Sequence, residues 1–307
     1  MHMRNQFLAT HPFDLYDLAL FQLVVRNQSF TKAAEIAGLT QSAITRQIQG
    51  IEKSLGLTLL ERNTRNVKAT PAGRFLYRDA ARLLGDVDQS LSNLTQQFAG
   101  ARKIVRVDVS RSISLAHLPG FFHANLRCVP GIGYRVACQS SEEILSAIEA
   151  NEQDIGVLCP PTRLPRTVRV THRFSDDFVL ISSAGSAPDI KVLSKAKSRA
   201  DWLARQIWLL IDAHTNTGQR LRAWMRSQGL KVEPTMELDS FDLIINLVAL
   251  GMGVSFVPAR ALALYNQRQK LVRIPLSERF TREIVVVVRK RRDTAEHIER
   301  FIANVLF

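Results

Sequence analysis

Cysteine is scarce in this chain, and its spacing excludes two kinds of architecture. Cys128, Cys138 and Cys159 are the only three in 307 residues, with no C-x-x-C pair and no histidine at ligand spacing. Neither a zinc site nor a disulfide framework is therefore expected. Buried small hydrophobes are the plain reading; a thiol switch between Cys128 and Cys138 is the alternative, and it needs Cα atoms within about 7 Å. Long apolar runs are missing too. Leu243–Leu250 and Ile284–Val288 are far too short to cross a bilayer, and Met1–His11 lacks the apolar stretch of a signal peptide, so a cytoplasmic location is expected. The seven histidines are scattered, and there is no G-x-S-x-G elbow, H-E-x-x-H, P-loop or glycine-rich dinucleotide fingerprint. An enzyme is not expected on these grounds, nor a metal or a cofactor.

What the chain has in excess is positive charge. A net +13 favours a polyanionic partner, because each Lys or Arg docked on a phosphate releases condensed counterions. The basic residues are spread, with clusters at Arg163–Arg173, Lys191–Arg199 and Arg289–Arg292. Charge alone thus does not say which part touches nucleic acid, and such clusters are most often solvated faces.

The first element is predicted as a helix over 14–26, with Leu15, Leu18, Phe21 and Val25 on one face. A second begins at Ser29 or Thr31, carries Ala33 and Ala34, and stops at Gly38. Thr40 caps a third over 41–55, whose two faces differ. Ile44, Ile48 and Ile51 should bury, whereas Ser42, Thr45, Arg46 and Gln49 should face outward. Two helices joined by a tight glycine turn, the first with small residues where a neighbour packs, make a helix-turn-helix. Its second helix enters the major groove of double-stranded DNA, where Gln41, Ser42, Thr45, Arg46 and Gln49 reach base edges and phosphates; Thr31 joins them from the helix before. Strands over 57–61 and 67–70 flank a turn and form a wing, whose Arg62 and Arg65 approach the backbone or a minor groove.

Thr70-Pro71 is a cap followed by proline at the first helical position, and announces a helix to about residue 99. Leu76, Ala80, Leu83, Val87, Leu91, Leu94 and Phe98 form its apolar stripe, with a mean step of about 3.67 residues that suits a nearly straight helix pair. A lone helix would expose that stripe, so it is expected to pair with its copy in a homodimer that presents two recognition helices to two half-sites. From Ile104 the texture becomes α/β. Strands over 104–109, 133–138 and 154–158 alternate with helices over 113–122 and 141–150. A second set follows: strands over 178–182, 208–211 and 254–256, helices over 218–228 and 240–250, a late strand over 283–288 and a closing helix over 295–306. Two α/β lobes leave a cleft between them, and ligands in such sheets settle beyond strand carboxyl ends near helix N-termini.

The stretch Phe21–Gly73, with S-F-T-x-A-A, Gln41-Ser42-Ala43, Leu60-Glu61-Arg62 and Thr70-Pro71-Ala72-Gly73 in order, closely resembles the DNA-binding domain of LysR-type transcriptional regulators. Leu60 stands where many members carry Phe. The likeness continues more loosely through Leu118-Pro119, Gln153–Val157 and Gly251–Pro258. It implies an α/β chain with an N-terminal winged helix-turn-helix at 12–70, a linker and dimerisation helix at 71–100, and a two-lobed, periplasmic-binding-protein-like regulatory domain at 104–307. Lobe I would hold about 104–174 and 281–307, lobe II about 175–280. It also implies assembly commonly to a homotetramer, an interrupted inverted repeat near a promoter, RNA polymerase as a further partner, and a small-molecule effector between the lobes. Carried over by position, the effector-binding candidates are Ser110, Ser112, Ser140, Ser141, His214, Thr215 and Thr217, with Ser112 and Thr215 preferred. Each lies past a strand end and ahead of a helix, where hydroxyls and free N–H groups suit a carboxylate or other anion. Plain helix capping is the alternative for each, and Arg111 adds charge at the same mouth or faces solvent. Two rivals stand outside this reading: an enzyme on the two-lobed domain, and an exported solute-binding protein with an accessory N-terminal domain, in which the wing arginines have no role.

Overall fold

The computed structural model describes residues 13–63, 66–99, 102–128, 131–188, 196–230, 232–290 and 294–304. The chain divides into two units, one essentially residues 1–101 and the other 102–307 apart from 150–152.

In the first unit, α1 (Leu15–Asn27), α2 (Phe30–Ala37) and α3 (Gln41–Leu55) are each started by a polar side chain. Asp14 and Asp17 form a reciprocal capping box, while Ser29 and Thr40 accept from Lys32 N and Ala43 N, satisfying N–H groups that have no partner inside the helix. Gly38 and Gly56 end α2 and α3 in the left-handed region, at φ 66° and 65°, which glycine enters without steric cost. Ala33 and Ala34 let α2 approach closely, and Phe21, Val24, Ile44, Ile48 and Ile51 fill the core between the helices. The wing is β1 (Leu60–Asn63) paired antiparallel with β2 (Asn66–Ala69). Its first strand starts later than the expected 57–61, and its second one residue earlier than the expected 67–70. Glu52 Oε1 on α3 takes the N–H groups of Leu59 and Leu60 at 2.8 and 3.1 Å, so the start of the hairpin is tied to a helix through its N–H groups while the Leu59 carbonyl accepts from Thr70 N at 2.9 Å.

The helix α4 (Pro71–Phe98) follows, capped by Thr70. Gly73 in its first turn is required by packing, since a Cβ there would lie 2.0 Å from the Leu59 carbonyl oxygen. The expected dimerisation stripe needs one correction. Leu76 packs into the core of the first unit and Ala80 is fully buried, so both are consumed within this chain; Leu83, Leu91, Leu94 and Phe98 are exposed.

The second unit is built on β3 (Ile104–Ser110), α5 (Arg111–Cys128), β4 (Gly133–Gln139), α6 (Ser141–Glu149), β5 (Ile155–Leu158) and β6 (Val168–Ser183). Then come α7 (Ala196–Ala204), β7 (Leu209–Ile211), α8 (Asn216–Ser227), β8 (Met236–Leu238), α9 (Phe241–Ala249), β9 (Ser255–Pro258), α10 (Ala259–Leu264), β10 (Leu271–Ile274), β11 (Thr281–Arg289) and α11 (Glu296–Ala303). One sheet of order β10-β6-β11-β5-β3-β4, with β9 also on β6, runs through both lobes, while β7 and β8 pair separately. The expected 178–182 strand is only the far half of β6. Residues Val168–Asp177 pair with β11 in lobe I, and Phe178–Ser183 pair with β9 and β10 in lobe II. The first half escapes a hydrophobicity reading because Arg169, Thr171, Arg173, Ser175 and Asp177 interrupt it.

Lobe I packs Val105, Val107, Val109, Val286, Ile298 and Phe301 on one sheet face and Ile144, Ile148 and Val285 on the other. Lobe II buries Phe178, Trp208, Leu221, Ile244, Phe256 and their neighbours in a larger core.

Candidate effector cleft and DNA-reading helix

The strand ends of the second unit converge on one cavity of about 480 Å³. Ser110 closes β3, Ser112 opens α5, Ser140 and Ser141 start α6, and His214, Thr215 and Thr217 lie around the start of α8; all seven line it. Arg111, Gln139, Glu142, Asp212, Asn216 and Asp239 add polarity, whereas Leu145 and Pro161 are its only aliphatic lining residues among those described. This convergence follows from topology, because β3 and β4 are parallel and each turns into a helix at the same sheet edge.

The seven differ in what their side chains are free to do. Thr215 Oγ1 accepts from Gly218 N at 3.0 Å and donates to the Asp212 carbonyl at 2.7 Å, so its hydroxyl is occupied in capping α8. The cap is tight because Gly218 lacks a Cβ, which would fall 2.0 Å from the Asp212 carbonyl oxygen. Ser140 and Glu143 form a second reciprocal cap, and the hydrogen bonds from Ser140 lower the Glu143 pKa. His214 and Ser140 are exposed, and Ser141 and Thr215 are half-buried.

Ser110, Ser112 and Thr217 form the buried floor. Their hydroxyls are in series, Ser110 to Ser112 at 3.2 Å and Ser112 to Thr217 at 3.5 Å, joining lobe I to lobe II. Beneath them lies a fully buried arginine that sequence reasoning missed. Arg282 donates from Nη1 to Ser112 Oγ at 3.2 Å and Thr217 Oγ1 at 2.9 Å, and from Nη2 to the Ser112 carbonyl at 2.8 Å. Its charge is met by Asp176, at 2.8 Å from Nη2 and 3.0 Å from Nε, and its Cζ lies over the Phe178 and Phe241 rings, 5.0 and 5.6 Å from their centroids. Burial pushes the Asp176 carboxyl up, but the His117 hydrogen bond and the Arg282 charge outweigh it and hold the pKa below the ordinary value. Burial likewise raises the pKa of the nearby Cys159 thiol. A signal for Arg282 existed: strand alternation sets it on the face of Ile284, Val286 and Val288, where a charge must be paired.

At the mouth, Arg111 of lobe I meets Asp239 of lobe II at 3.6 Å, with both side chains about half exposed (51% and 55%). An ion pair this open is weak and yields readily to a competing charge.

In the first unit, Gln41, Ser42, Arg46 and Gln49 are exposed along α3, Thr45 is half-buried between them, and Thr31 is exposed on α2. Ser42 Oγ lies 3.1 Å from Thr40 Oγ1, and Arg46 Nε donates to the Ser42 carbonyl at 3.4 Å. The outward stripe and the buried isoleucine stripe thus occupy opposite faces of one helix. Arg65 lies outside the described residues, and of Arg62 only the backbone, paired with Val67, is described. Cys138 is exposed on β4 and Cys159 is buried; the side chain of Cys128 is outside the described set.

Two family models match the chain: the bacterial regulatory helix-turn-helix protein, lysR family, over residues 15–74, and the LysR substrate binding domain over residues 99–306. The HTH-type transcriptional regulator BenM of Acinetobacter baylyi is 30% identical over 256 residues, covering 82% of this chain and 83% of BenM. YofA of Bacillus velezensis, also an HTH-type transcriptional regulator, is 26% identical over 86% of this chain and 87% of its own. Among solved structures, full-length BenM matches with a TM-score of 0.53 at 28% identity over 95% of both chains. CbnR complexed with its target DNA matches at 0.64, with 19% identity over 95% of this chain and 99% of CbnR.

Proposed function

We propose, for a chain that belongs to the LysR family of bacterial transcriptional regulators, that a small molecule held over the Ser110–Ser112–Thr217 floor sets how its helix-turn-helix engages promoter DNA. The observation that carries this reading is the hydroxyl series itself, which spans both lobes and is backed by a buried guanidinium. Arg282 donates into Ser112 and Thr217, so part of their lone-pair capacity is filled and their protons turn toward other acceptors. The floor therefore favours an effector with an acceptor pole, a carboxylate or similar anion, and a small polar body suited to about 480 Å³.

The coupling is a linked equilibrium. An effector that contacts both lobes binds best at one lobe angle, and it shifts the oligomer only by its differential affinity for the two states. DNA is read by Gln41, Ser42, Thr45, Arg46 and Gln49 of α3, assisted by Thr31 and by Arg62 and Arg65 of the wing, in a homodimer on an interrupted inverted repeat. Assembly to a homotetramer, an effect on RNA polymerase access and a cytoplasmic location complete the reading. In it the two-lobed domain binds and does not turn over its ligand, and it needs no metal or cofactor.

The test is a binding assay across the DNA flanking the protein's own gene, at fixed salt with excess competitor, comparing wild type with Arg46→Ala. Specific binding that the substitution weakens supports the reading and supplies a target on which effectors can be screened. Salt-sensitive binding without sequence preference overturns it.

A further inference from the structure

Most of the chain's positive charge lies away from its helix-turn-helix. Residues 1–101 hold 11 Lys and Arg against 8 Asp and Glu, a net +3 of the chain's +13, so residues 102–307 carry +10. The effector cleft does not account for this excess, since Glu142, Asp212 and Asp239 line it beside Arg111.

Parts of two basic segments that are far apart in sequence, 163–169 and 289–290, are brought together by the sheet. Val168 of β6 pairs with Arg289 of β11 and Arg169 with Val288, and Lys290 N donates to the Thr167 carbonyl at 2.7 Å. Arg163, Arg166, Arg169 and Lys290 are exposed and Arg289 is half-buried, so Arg166, Arg169, Arg289 and Lys290 gather at one end of the two long strands, with Arg163 in the loop that leads to it. Among the described residues none of Arg163, Arg166, Arg169 and Lys290 is in an ion pair. Glu149, the acid nearest in the hydrogen-bond pattern, accepts from the Thr167 hydroxyl. Gathering like charges costs self-repulsion, which an anionic partner relieves.

We infer that this end of the regulatory unit is a second contact for DNA phosphates, on the same duplex but outside the half-site that α3 reads. The inference rests on the DNA-binding reading above. DNA is the favoured polyanion because the first unit of the same chain already binds it, so a second contact on the same duplex is intramolecular wherever the duplex is long enough for both to engage. Four of the five cations are arginines, whose forked donors match phosphate oxygens. The contact would position the duplex without adding sequence information.

The experiment uses the full chain and two duplexes, one of about 20 bp carrying the specific site alone and one extended with unrelated sequence to about 80 bp, titrated over a range of salt. The patch variant is Arg166→Gln/Arg169→Gln/Lys290→Gln. A control, Arg205→Gln/Arg226→Gln/Arg273→Gln, removes the same charge from exposed positions elsewhere on the unit. Wild type should bind the long duplex more tightly than the short one and with a steeper salt dependence. The patch variant should keep its affinity for the short duplex and lose the increment, its log–log salt slope on the long duplex becoming shallower by up to about 2.7 for three phosphates. Equal binding of both duplexes by wild type, an unchanged patch variant, or an equal loss in the control overturns the inference. So does an unchanged DNA profile accompanied by patch-dependent binding to RNA polymerase, which would assign the surface to a protein. If wild type does not bind the short duplex specifically, the DNA-binding reading itself fails, a result the short-duplex arm keeps separate.

Discussion

Arg282 and Asp176 face each other across β11 and β6 as register partners, and their side chains meet at 2.8 Å with neither exposed to solvent. They sit one residue from the point where β6 leaves lobe I for lobe II, so one ion pair underlies both the sheet crossover and the cleft floor. Removing one partner strands a buried charge, which typically costs about 3–5 kcal/mol. Asp176→Asn and Arg282→Met should each lower unfolding free energy by that order in chemical denaturation. The double variant should cost clearly less than their sum; strict additivity would show that the two charges do not depend on each other.

The same pair sets an acid limit. The Asp176 pKa is lowered in the folded state, so its contribution is complete above the unfolded value of about 3.9 and is lost as pH falls through the lower folded value. Wild type should therefore lose stability more steeply below about pH 4 than Asp176→Asn, and the two curves should run parallel at neutral pH. A pH-independent gap down to the acid transition would count against this origin.

Of the hydroxyls around the cleft, Thr217 and Ser112 are the ones to change. Thr217→Val keeps the shape and deletes an acceptor of Arg282 Nη1, and the effector response should disappear while specific DNA binding persists. Thr215→Val should instead cost about 1 kcal/mol of stability by uncapping α8. Thermal denaturation beside an effector-dependent DNA shift separates the two. Loss of response in Thr215→Val without loss of stability would reverse the assignment.

The helix-turn-helix was legible in the sequence because caps, glycine stops and the isoleucine period agree there. The helix expected over about 41–55 coincides with Gln41–Leu55, whose start Thr40 marks in the sequence. The seven cleft residues come from the family resemblance, carried over by position, and the structure lines one cavity with them because each follows a strand end and precedes a helix start. Arg282 and Asp176 were not found, because each acts through a partner more than a hundred positions away, and a cross-strand register is not written locally. For the same reason Leu76 and Leu91 look equivalent on one stripe, although the first is taken up by the chain's own core.

Gly73 is a local requirement whose cause lies elsewhere in the chain. Its missing Cβ admits the Leu59 carbonyl ahead of the wing, so Gly73→Ala must push α4 off β1 or break the Thr70 cap. A loss of about 1–3 kcal/mol is expected, as for other overpacked sites. The wing should move with it, so DNA affinity should fall even where the variant remains folded. Ala72→Ser, one position away, should change neither affinity nor stability appreciably.

The exposed part of the α4 stripe is the surface that the proposed homodimer would bury. Leu83, Leu91, Leu94 and Phe98 are 41%, 57%, 56% and 75% exposed in the single chain, an apolar row that water disfavours and a second copy would cover. Leu91→Ser/Leu94→Ser should convert a dimer to a monomer in sedimentation at micromolar concentration. Since two linked recognition helices bind far more tightly than one, affinity for a two-half-site duplex should fall about 100-fold or more, while a single half-site should be bound as before. Leu76→Ser supplies the contrast, because Leu76 packs inside the first unit and its loss should lower stability without first dissociating the dimer. A Leu91→Ser/Leu94→Ser protein that still sediments as a dimer would place the subunit contact off this helix.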